Sequence, residues 1–525
     1  MMSVKTIVLV LYLLCFALNG MELSQINALM RTKDYARVVK VLEEEEAKGN
    51  PSFEVMLYLG NAYFLVGQNK KAFNAYKKAM EIKPGAKEAA VNMASVLSAS
   101  GEHEKAIELY KDMIETWGEV ADVVYNTSVA YRFLGKLDEA EKFSRRAYQL
   151  QPDEPQYING LGEVLNLKGQ KEAAVDLYKE ALRAKPNSLV ARLNLARSFI
   201  ANNDLVRAES EAKVAVQTEP ASAEAHEVLG DVFKAKGDIE SALYEYRNSL
   251  SRNPRRSSAN ASAAAIYESM GQFEDAKYFY YNAVEYEQGS MELVLRLGNL
   301  LFKTRDFFAA RDALNQASVR IRRSPQLLDL LGQTYTELRN FEKAEIILKE
   351  ALEKDSTFTK AKISLGTLYF EQGRFSDALG LLEDAYKNGY ETYELNFFLG
   401  RIYLRKNREQ DAIKLFSKLL TMDPRRFDGY LWLGKAYENV KDFKKAELTY
   451  FKAIEFLPKN PEVYLEIAEF IYRQRLTEMW HICKSYYDKT LELDPKHPKR
   501  EHILETLKKV SSSVERVKKA GDVNQ

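Results

Sequence analysis

Apolar residues recur along most of the chain at spacings of three and four positions. One stretch shows this spacing through Leu161, Leu165, Ala174, Tyr178 and Ala181. Positions three and four apart share one face of an α-helix, so the pattern predicts amphipathic helices that bury one side. We find no segment with the strict alternation that is typical of β-strands. The pattern therefore predicts an all-α fold.

Small residues repeat along the chain every 34 positions. An alanine occurs at each step of 34 from Ala72 to Ala446, and Gly, Ala or Ser lies twelve positions before each alanine, beginning with Gly60. Seven units have a glycine five positions before the alanine, as at Gly67, and seven have a proline twelve positions after it, as at Pro84. Small residues let two helices cross closely, glycine favours a helix end, and proline stops the second helix. Each unit is thus predicted to be a helix–turn–helix.

This repeat resembles the tetratricopeptide-repeat family. If a unit begins at residue 53, its eleventh position is often aromatic, as at Tyr63, and so is its twenty-fourth, as at Tyr76. The resemblance covers residues 53–460 as twelve full repeats. It implies a right-handed α-solenoid, a superhelix of about 13 repeats, whose inner groove is lined mainly by first helices and holds proteins or peptides.

Repeats 8 to 10 depart from the common pattern at the twenty-fourth position, where the aromatic residue is replaced by Leu314, Leu348 and Leu382. Repeats 7 to 10 also lack the closing proline. A stretch of different curvature and neutral drift are the two interpretations of this change.

The ends of the array are less regular than its middle, as terminal repeats usually are. The last two closing prolines are 37 residues apart instead of 34, which indicates three extra residues near Thr477–Trp480. We therefore divide the chain into a signal peptide (1–20), a degenerate N-terminal capping repeat (21–52), twelve full repeats (53–460), a degenerate thirteenth repeat (461–495) and a basic C-terminal capping helix with a tail (496–525).

The first twenty residues have the composition of a secretory signal peptide. Lys5 precedes an apolar run at 7–18, and Gly20 supplies a small residue for cleavage. A membrane-spanning helix needs about 20 apolar residues, so the run is too short to span a bilayer. The alternatives are an uncleaved anchor, a buried helix, and a lipid anchor on Cys15, although Leu14 is not the small residue that normally precedes such a cysteine. We expect an exported protein that is periplasmic, envelope-associated or secreted.

The net charge bears on the kind of partner, and the cysteine content bears on disulfide formation. A net charge of +1 gives no global field that would attract nucleic acid or an anionic membrane. Without the signal, Cys483 is the single thiol, so no intramolecular disulfide can form in the mature chain. The basic segment 496–519 is either a solvated face or a contact to anionic lipid. We expect protein or peptide partners, no nucleic acid and no small-molecule substrate, with peripheral membrane association left open.

Catalytic chemistry has little room in this chain. The signal, the repeats and the caps use its length and leave no segment of about 100 residues for a catalytic domain. The histidines show no metal-binding spacing with one another or with cysteine; they are His103, His226, His481, His497 and His502. We expect no enzymatic activity, no catalytic residues, no metal site and no cofactor.

The inner groove implied by the resemblance is lined by positions 5, 9, 12 and 13 of each first helix. Position 5 never holds the lysine with which the chaperone-tail-binding members of the family bind a C-terminal carboxylate, so we do not expect that mode. The richest stretch combines aromatic, apolar and basic side chains near the C-terminal end: Phe370, Phe397, Arg401, Leu404, Arg405 and Lys435. Such a surface suits an extended or acidic peptide. The alternative is ordinary packing between helices with solvated charges.

These observations predict a non-catalytic protein-binding scaffold or adaptor outside the cytoplasm. Its groove would hold partners of a cell-envelope assembly, secretion or polysaccharide-export system, a choice that rests on analogy with exported members of the family. The alternative is a chaperone-like binder of unfolded chains in the periplasm or endoplasmic reticulum. Apolar residues at position 5 favour that alternative: Leu57, Val91, Ile363, Phe397 and Leu431.

Overall fold

The computed structural model describes most of the chain, namely Ile26, Leu29 and residues 34–49, 51–287, 289–321 and 323–522. All regular structure in this described part is helical, which confirms the predicted all-α fold. The predicted signal peptide, residues 1–20, and Cys15 lie outside the described residues. No described helix is both long and apolar enough to cross a bilayer. The chain divides into two compact units, one ending at Ile266 and the other beginning at Tyr267.

The N-terminal unit is a series of helices that pack against their neighbours in the sequence. They are α1 Tyr35–Glu46, α2 Phe53–Leu65, α3 Asn69–Ile82, α4 Lys87–Ala99, α5 His103–Trp117, α6 Ala121–Phe133, α7 Leu137–Leu150, α8 Pro155–Leu167, α9 Lys171–Ala184, α10 Leu189–Ala201, α11 Leu205–Thr218, α12 Ala223–Lys236, α13 Ile239–Arg252 and α14 Ser257–Ser269, within which the units divide.

The C-terminal unit has the same arrangement of consecutive packed helices. They are α15 Phe273–Tyr286, α16 Met291–Lys303, α17 Phe307–Arg320, α18 Pro325–Glu337, α19 Phe341–Lys354, α20 Thr359–Glu371, α21 Phe375–Lys387, α22 Tyr393–Arg405, α23 Glu409–Met422, α24 Phe427–Asn439, α25 Phe443–Phe456, α26 Pro461–Arg473, a 3₁₀ turn Thr477–Met479, α27 Trp480–Leu493 and α28 Arg500–Asp522. Each unit is therefore an α-solenoid, as predicted.

Each repeat contributes one even-numbered and one odd-numbered helix, and the helix starts follow local sequence. The first helices α2 to α26 begin at intervals of 34 residues, and so do the second helices α3 to α25. Ser52 caps α2 by accepting a hydrogen bond from the Val55 N–H at 3.3 Å, and Ser324 caps α18 in the same way. Pro325 is the first residue of α18, a position where its missing N–H costs nothing.

The turn inside each repeat requires a left-handed backbone conformation. Gly67 supplies it in the first repeat with φ of 82°. Repeats without a glycine there use other residues at φ between 53° and 60°: Asn203, Arg305, Arg339, Asn407, Lys441 and Arg475. Residues with a Cβ adopt this conformation at a cost of about 1–2 kcal/mol, so these turns store strain that the predicted glycines avoid.

The two helices of a repeat approach closely because a small residue of the first helix faces the side chain at position 24. A Cβ on Gly434 would lie 2.3 Å from the ring of Tyr450, and a Cβ on Gly60 would lie 2.5 Å from that of Tyr76. In repeat 9 the same place is taken by Leu348, 2.5 Å from a Cβ built on Gly332. In repeats 8 to 10, leucine therefore occupies position 24, and the two helices of the repeat still approach each other closely.

The last repeat, at the C-terminal end of the solenoid, is three residues longer than the regular repeats. Its second helix α27 begins at Trp480, three residues later than the interval of 34 would give, and the 3₁₀ turn Thr477–Met479 fills the difference. Helix α28 then packs on α27 and buries Ile503 and Val510 in the same cluster as Cys483. This packing covers the apolar face that the last repeat would otherwise expose.

Candidate functional site

The predicted groove residues come from three successive first helices of the C-terminal unit. Helix α22 carries Phe397, Arg401, Leu404 and Arg405, which lie on successive turns. Helices α20 and α24 flank it and carry Phe370 and Lys435. Because side chains three and four residues apart share a helix face, α22 presents its aromatic and basic residues in one line.

Arg401 lies at the centre of this group, against three aromatic rings. Its guanidinium carbon is 4.6 Å from the ring centre of Phe370, 5.3 Å from that of Phe397 and 4.6 Å from that of Trp432. Ring faces attract cations, so the aromatic residues stabilise the charge and fix its position. The Arg401 Nε is buried without a hydrogen-bond partner, and burial lowers the pKa of the guanidinium, an effect that Glu371 opposes. The group nevertheless stays cationic, because arginine does not lose its proton in proteins.

Two further cations beside Arg401 also lie over aromatic rings. The guanidinium carbon of Arg405 is 4.2 Å from the ring centre of Phe375, and the Lys435 Nζ is 5.4 Å from that of Trp432. Both contacts hold long, flexible side chains against the protein surface.

A cavity of about 490 Å³, here called the basic cavity, opens beside these cations. Its lining comes from α22, α24 and α26 and consists of Arg401, Leu404, Arg405, Trp432, Lys435, Glu438, Asn439 and Arg473. Four of these side chains are cationic and one is anionic. Charges of one sign lining a single concave surface attract ligands of the opposite sign.

The single carboxylate of the basic cavity is already engaged by the protein. Glu438 accepts hydrogen bonds from the Tyr450 hydroxyl at 2.7 Å, from Arg473 at 3.1 Å and from Gln474 at 3.1 Å. Arg473 also pairs with Glu466 at 2.9 Å. The charges of Glu438 and Arg473 are therefore balanced within the fold.

The other three cations, in contrast, lack an acidic partner. Within the described part of the chain, Arg401, Arg405 and Lys435 form no ion pair. Two arginines of the N-terminal unit's first helices show the opposite situation, since Arg132 pairs with the largely buried Glu163 and Arg197 pairs with Glu224 at 2.8 Å. The basic cavity thus holds three cations that a ligand's carboxylates can neutralise without displacing a protein partner.

A second cavity of about 520 Å³, here called the mixed cavity, opens on the other part of α22. Its apolar lining includes Phe302, Ile363, Tyr393, Phe397 and Phe398. Its charged lining is balanced, with Glu337 and Glu394 against Lys360 and Arg426. This cavity offers apolar surface and carries no net charge.

Asp329 lies beside the mixed cavity and is only 5% exposed. Gln333, which lines the cavity, donates a hydrogen bond from Nε2 to Asp329 Oδ2 at 2.9 Å. The other carboxylate oxygen, Oδ1, is buried without a hydrogen-bond partner. Burial raises the pKa of Asp329 to about 6, because a charged carboxylate loses its hydration there.

The structure brings together most of the residues that the sequence predicts for the groove. Arg401, Leu404, Arg405 and Lys435 line the basic cavity, and Phe397 lines the mixed cavity. Phe370 is only 7% exposed and packs under Arg401, so it supports the site and offers little surface to a partner. For Phe370, the alternative interpretation as packing between helices is the better one.

Sequence reasoning missed Trp432, Phe398 and Arg473. The first two stand at position 6 of their repeats, whereas the family resemblance implies that positions 5, 9, 12 and 13 line the groove. A search of position 6 for aromatic residues would have found both. Arg473 occupies position 13 of the degenerate thirteenth repeat, and extending the search past the regular array would have found it.

Two histidines and the Cys483 thiol, which are residue types with catalytic or metal-binding potential, have hydrogen-bond partners within the fold. Among the described residues, no group of three or more His, Cys, Asp or Glu side chains is placed to hold a metal ion. His497 and His502 each bond to a glutamate, Glu462 at 2.9 Å and Glu469 at 3.0 Å. The Cys483 thiol is buried and donates to the Ala468 carbonyl at 3.4 Å.

Comparison with known families finds the tetratricopeptide repeat along much of the chain. Three sequence models of this repeat match; the first covers residues 91–155, 363–427 and 410–461, the second 63–116 and 167–232, and the third 325–357.

Curated relatives and solved structures share parts of the chain. BBSome complex member BBS4 of Bos taurus is 25% identical over 157 residues, which are 30% of either chain. Protein O-mannosyl-transferase TMTC1 of Homo sapiens is 25% identical over 180 residues, 33% of this chain and 20% of its own. The crystal structure of the APC/C hetero-tetramer Cut9–Hcn1 shares 14% identity at a TM-score of 0.42, covering 86% of this chain and 96% of that one. The chain thus spans less than a third of the length of both curated relatives.

Proposed function

Because the chain belongs to the tetratricopeptide-repeat family, we propose that it is a protein-binding scaffold without catalytic activity and that its basic cavity binds acidic segments of partner proteins. The observation that carries this proposal is the set of three cations, Arg401, Arg405 and Lys435, which share one cavity and have no ion-pair partner among the described residues. Carboxylates of a partner would form charge-assisted hydrogen bonds with them.

The cellular part of the proposal is an exported scaffold that holds partners of a cell-envelope assembly, secretion or polysaccharide-export system. It is supported by the apolar run at 7–18 and the small residue at Gly20, and the choice of system rests on analogy. Sequencing the N-terminus of protein purified from its own cells tests the export. We expect the mature chain to begin at Met21, whereas cytosolic protein with an intact Met1 would contradict it.

Binding of a defined acidic peptide tests the basic cavity. The full chain is titrated into a fluorescein-labelled extended peptide rich in Asp and Glu, and fluorescence anisotropy is recorded at low and moderate salt. We expect Arg405→Glu and Lys435→Glu each to weaken binding about tenfold, since each replaces an attraction by a repulsion. Binding to the parent chain should also weaken with added salt.

Lys444→Glu is the matched control, because Lys444 is exposed on α25 and lies outside the basic cavity. It makes the same change in net charge and should leave the affinity within about twofold of the parent. Equal losses in all three variants would show that only net charge matters, and the proposed cavity would then be wrong.

The second candidate function, a chaperone-like binder of unfolded chains, is favoured by the mixed cavity, whose lining includes four aromatic residues. Such a binder would recognise apolar segments with little dependence on acidic residues. A reduced, unfolded test protein with few carboxylates would then compete as well as the acidic peptide. The scaffold proposal expects it to compete poorly.

A further inference from the structure

We propose that the bound segment is extended and bipartite, with a large apolar side chain in the mixed cavity and an acidic side chain in the basic cavity, four to six residues apart. This inference rests on the proposed function and adds a sequence requirement to it. It comes from the fact that two cavities of opposite character open side by side on α22.

The two cavities adjoin along α22, where aromatic residues and Arg401 lie between them. Phe397 lines the mixed cavity, and its ring centre is 5.3 Å from the guanidinium of Arg401, which lines the basic cavity. Trp432 lines the basic cavity, and its ring centre is 6.5 Å from that of Phe397. Phe397, Arg401 and Trp432 thus connect the linings of the two cavities.

The mixed cavity selects an apolar side chain of large size. Its volume of about 520 Å³ exceeds what a small side chain would fill, and Phe302, Ile363 and Phe398 supply apolar surface. An aromatic side chain would remove that surface and its own from water. The balanced charges at this cavity give an acidic side chain no advantage there, so the acidic part of the ligand belongs in the basic cavity.

The separation of the cavities fixes the spacing of the two side chains. Phe397 and Arg405 are eight residues apart on α22, which corresponds to about 12 Å along the helix axis. Helices α20 and α24 lie on either side of α22. Because packed helix axes are about 8–10 Å apart, the axes of α20 and α24 are about 20 Å apart, and this distance is the upper limit for the separation of the two cavities. An extended chain advances about 3.3 Å per residue and points alternate side chains the same way, so spacings of four and six fit best.

Labelled peptides that share one acidic residue pair and differ in the position of a single tryptophan test this inference. The tryptophan is placed two, four, six or eight residues from the acidic pair, on either side of it, or is replaced by alanine. We expect spacings of four to six, in one of the two chain directions, to bind the full chain about tenfold more tightly than the alanine peptide. Spacings of two and eight should give little gain.

Variants of the mixed cavity test whether the affinity that tryptophan adds comes from binding in that cavity. Thr367→Trp fills the cavity, and Phe302→Leu reduces its aromatic lining; Thr367 and Phe302 line the mixed cavity and lie outside the lining of the basic cavity. Thr367→Trp should remove the gain from tryptophan, Phe302→Leu should reduce it, and both should leave the alanine peptide's affinity unchanged. Thermal unfolding followed by circular dichroism confirms that the variants are folded, and Thr367→Trp serves alone if Phe302→Leu is not.

The outcomes separate this inference from the function on which it rests. One outcome is that the alanine peptide binds the parent chain, binds Lys435→Glu more weakly, and gains no affinity from tryptophan at any spacing. In that case the bipartite inference is wrong, and the proposed binding of acidic segments in the basic cavity is retained. If a gain is equal at all spacings, or survives Thr367→Trp, the apolar residue binds elsewhere and the inference is also wrong. If no peptide binds, or Lys435→Glu has no effect, the proposed function itself fails.

Discussion

Replacing Gly434 by alanine should destabilise the C-terminal unit, because the new Cβ has no space. The Cβ would lie 2.3 Å from two ring carbons of Tyr450, a distance that requires one of them to move. The ring cannot move freely, since Tyr450 is 1% exposed, packs on Phe470 with ring centres 5.4 Å apart and donates from its hydroxyl to Glu438.

The magnitude follows from what the tyrosine would lose. Overpacking a close contact costs about 1–3 kcal/mol, and loss of the hydrogen bond to a carboxylate costs about 1.5–3 kcal/mol more. Because Gly434 lies inside α24, alanine's better helix propensity returns about 0.5–1 kcal/mol. We therefore expect Gly434→Ala to lower the free energy of unfolding by about 2–5 kcal/mol.

The same substitution at Gly380 is the matched control and should have the opposite sign. Gly380 lies inside α21, is exposed, and has no atom within 4 Å of a built Cβ. Alanine there reduces the entropy that glycine loses on helix formation, so we expect a gain of about 0.5–1 kcal/mol.

Urea unfolding of both variants, followed by far-ultraviolet circular dichroism and by tryptophan fluorescence, measures these changes as shifts in the midpoint. Because solenoids unfold in parts, the fluorescence of the C-terminal unit, which includes Trp432 and Trp480, is the more direct signal. A Gly434→Ala chain as stable as the parent would refute the close-packing account of the repeat.

Three further predictions concern single residues. Lys441 has φ of 60°, so Lys441→Gly should raise the free energy of unfolding by about 1 kcal/mol, whereas Gly373→Ala, at φ of 76°, should lower it; urea unfolding checks both signs. Burial raises the pKa of Cys483 to about 12. In a Cys15→Ser chain, where Cys483 is the remaining thiol, a thiol reagent at pH 8 should therefore not react until urea unfolds the last repeat. Prompt reaction would contradict the buried position of Cys483. Burial raises the pKa of Asp329 to about 6, so the folded state loses stability as the pH rises from about 4 to about 6, and the penalty is constant above that. Asp329→Asn should therefore stabilise the chain by about 1–3 kcal/mol at pH 7.5 and by nothing below pH 4, whereas a gain that does not vary with pH would be inconsistent with the raised pKa.

The helical solenoid could be predicted from the sequence because its signals are local and repeated. The phase of small residues requires helix crossings at intervals of 34, and the helices that begin at Phe53 and Lys87 show that interval. The left-handed conformations of the turns inside the repeats were harder to predict from the sequence. Arg339 and Lys441 adopt the left-handed conformation because the packed helices on both sides of the turn require it, although their residue types disfavour it.

The candidate site could be predicted only in part, because pairing of charges depends on three-dimensional contacts. Arg405 and Arg408 are three positions apart and identical in type, yet Arg408 pairs with Glu383 and Asp411 while Arg405 forms no ion pair among the described residues. The sequence shows both as basic residues and gives no sign of this difference. The same limit applies to Phe370, whose burial under Arg401 follows from how α20 and α22 pack.

A crystal structure of the full chain with a bound acidic peptide would show whether the basic cavity is the binding site. We expect carboxylate oxygens of the peptide within hydrogen-bond distance of at least two of the three cations Arg401, Arg405 and Lys435, with the peptide chain following α22. A peptide bound to another surface, with these three cations still unpaired, would contradict the proposed binding in the basic cavity.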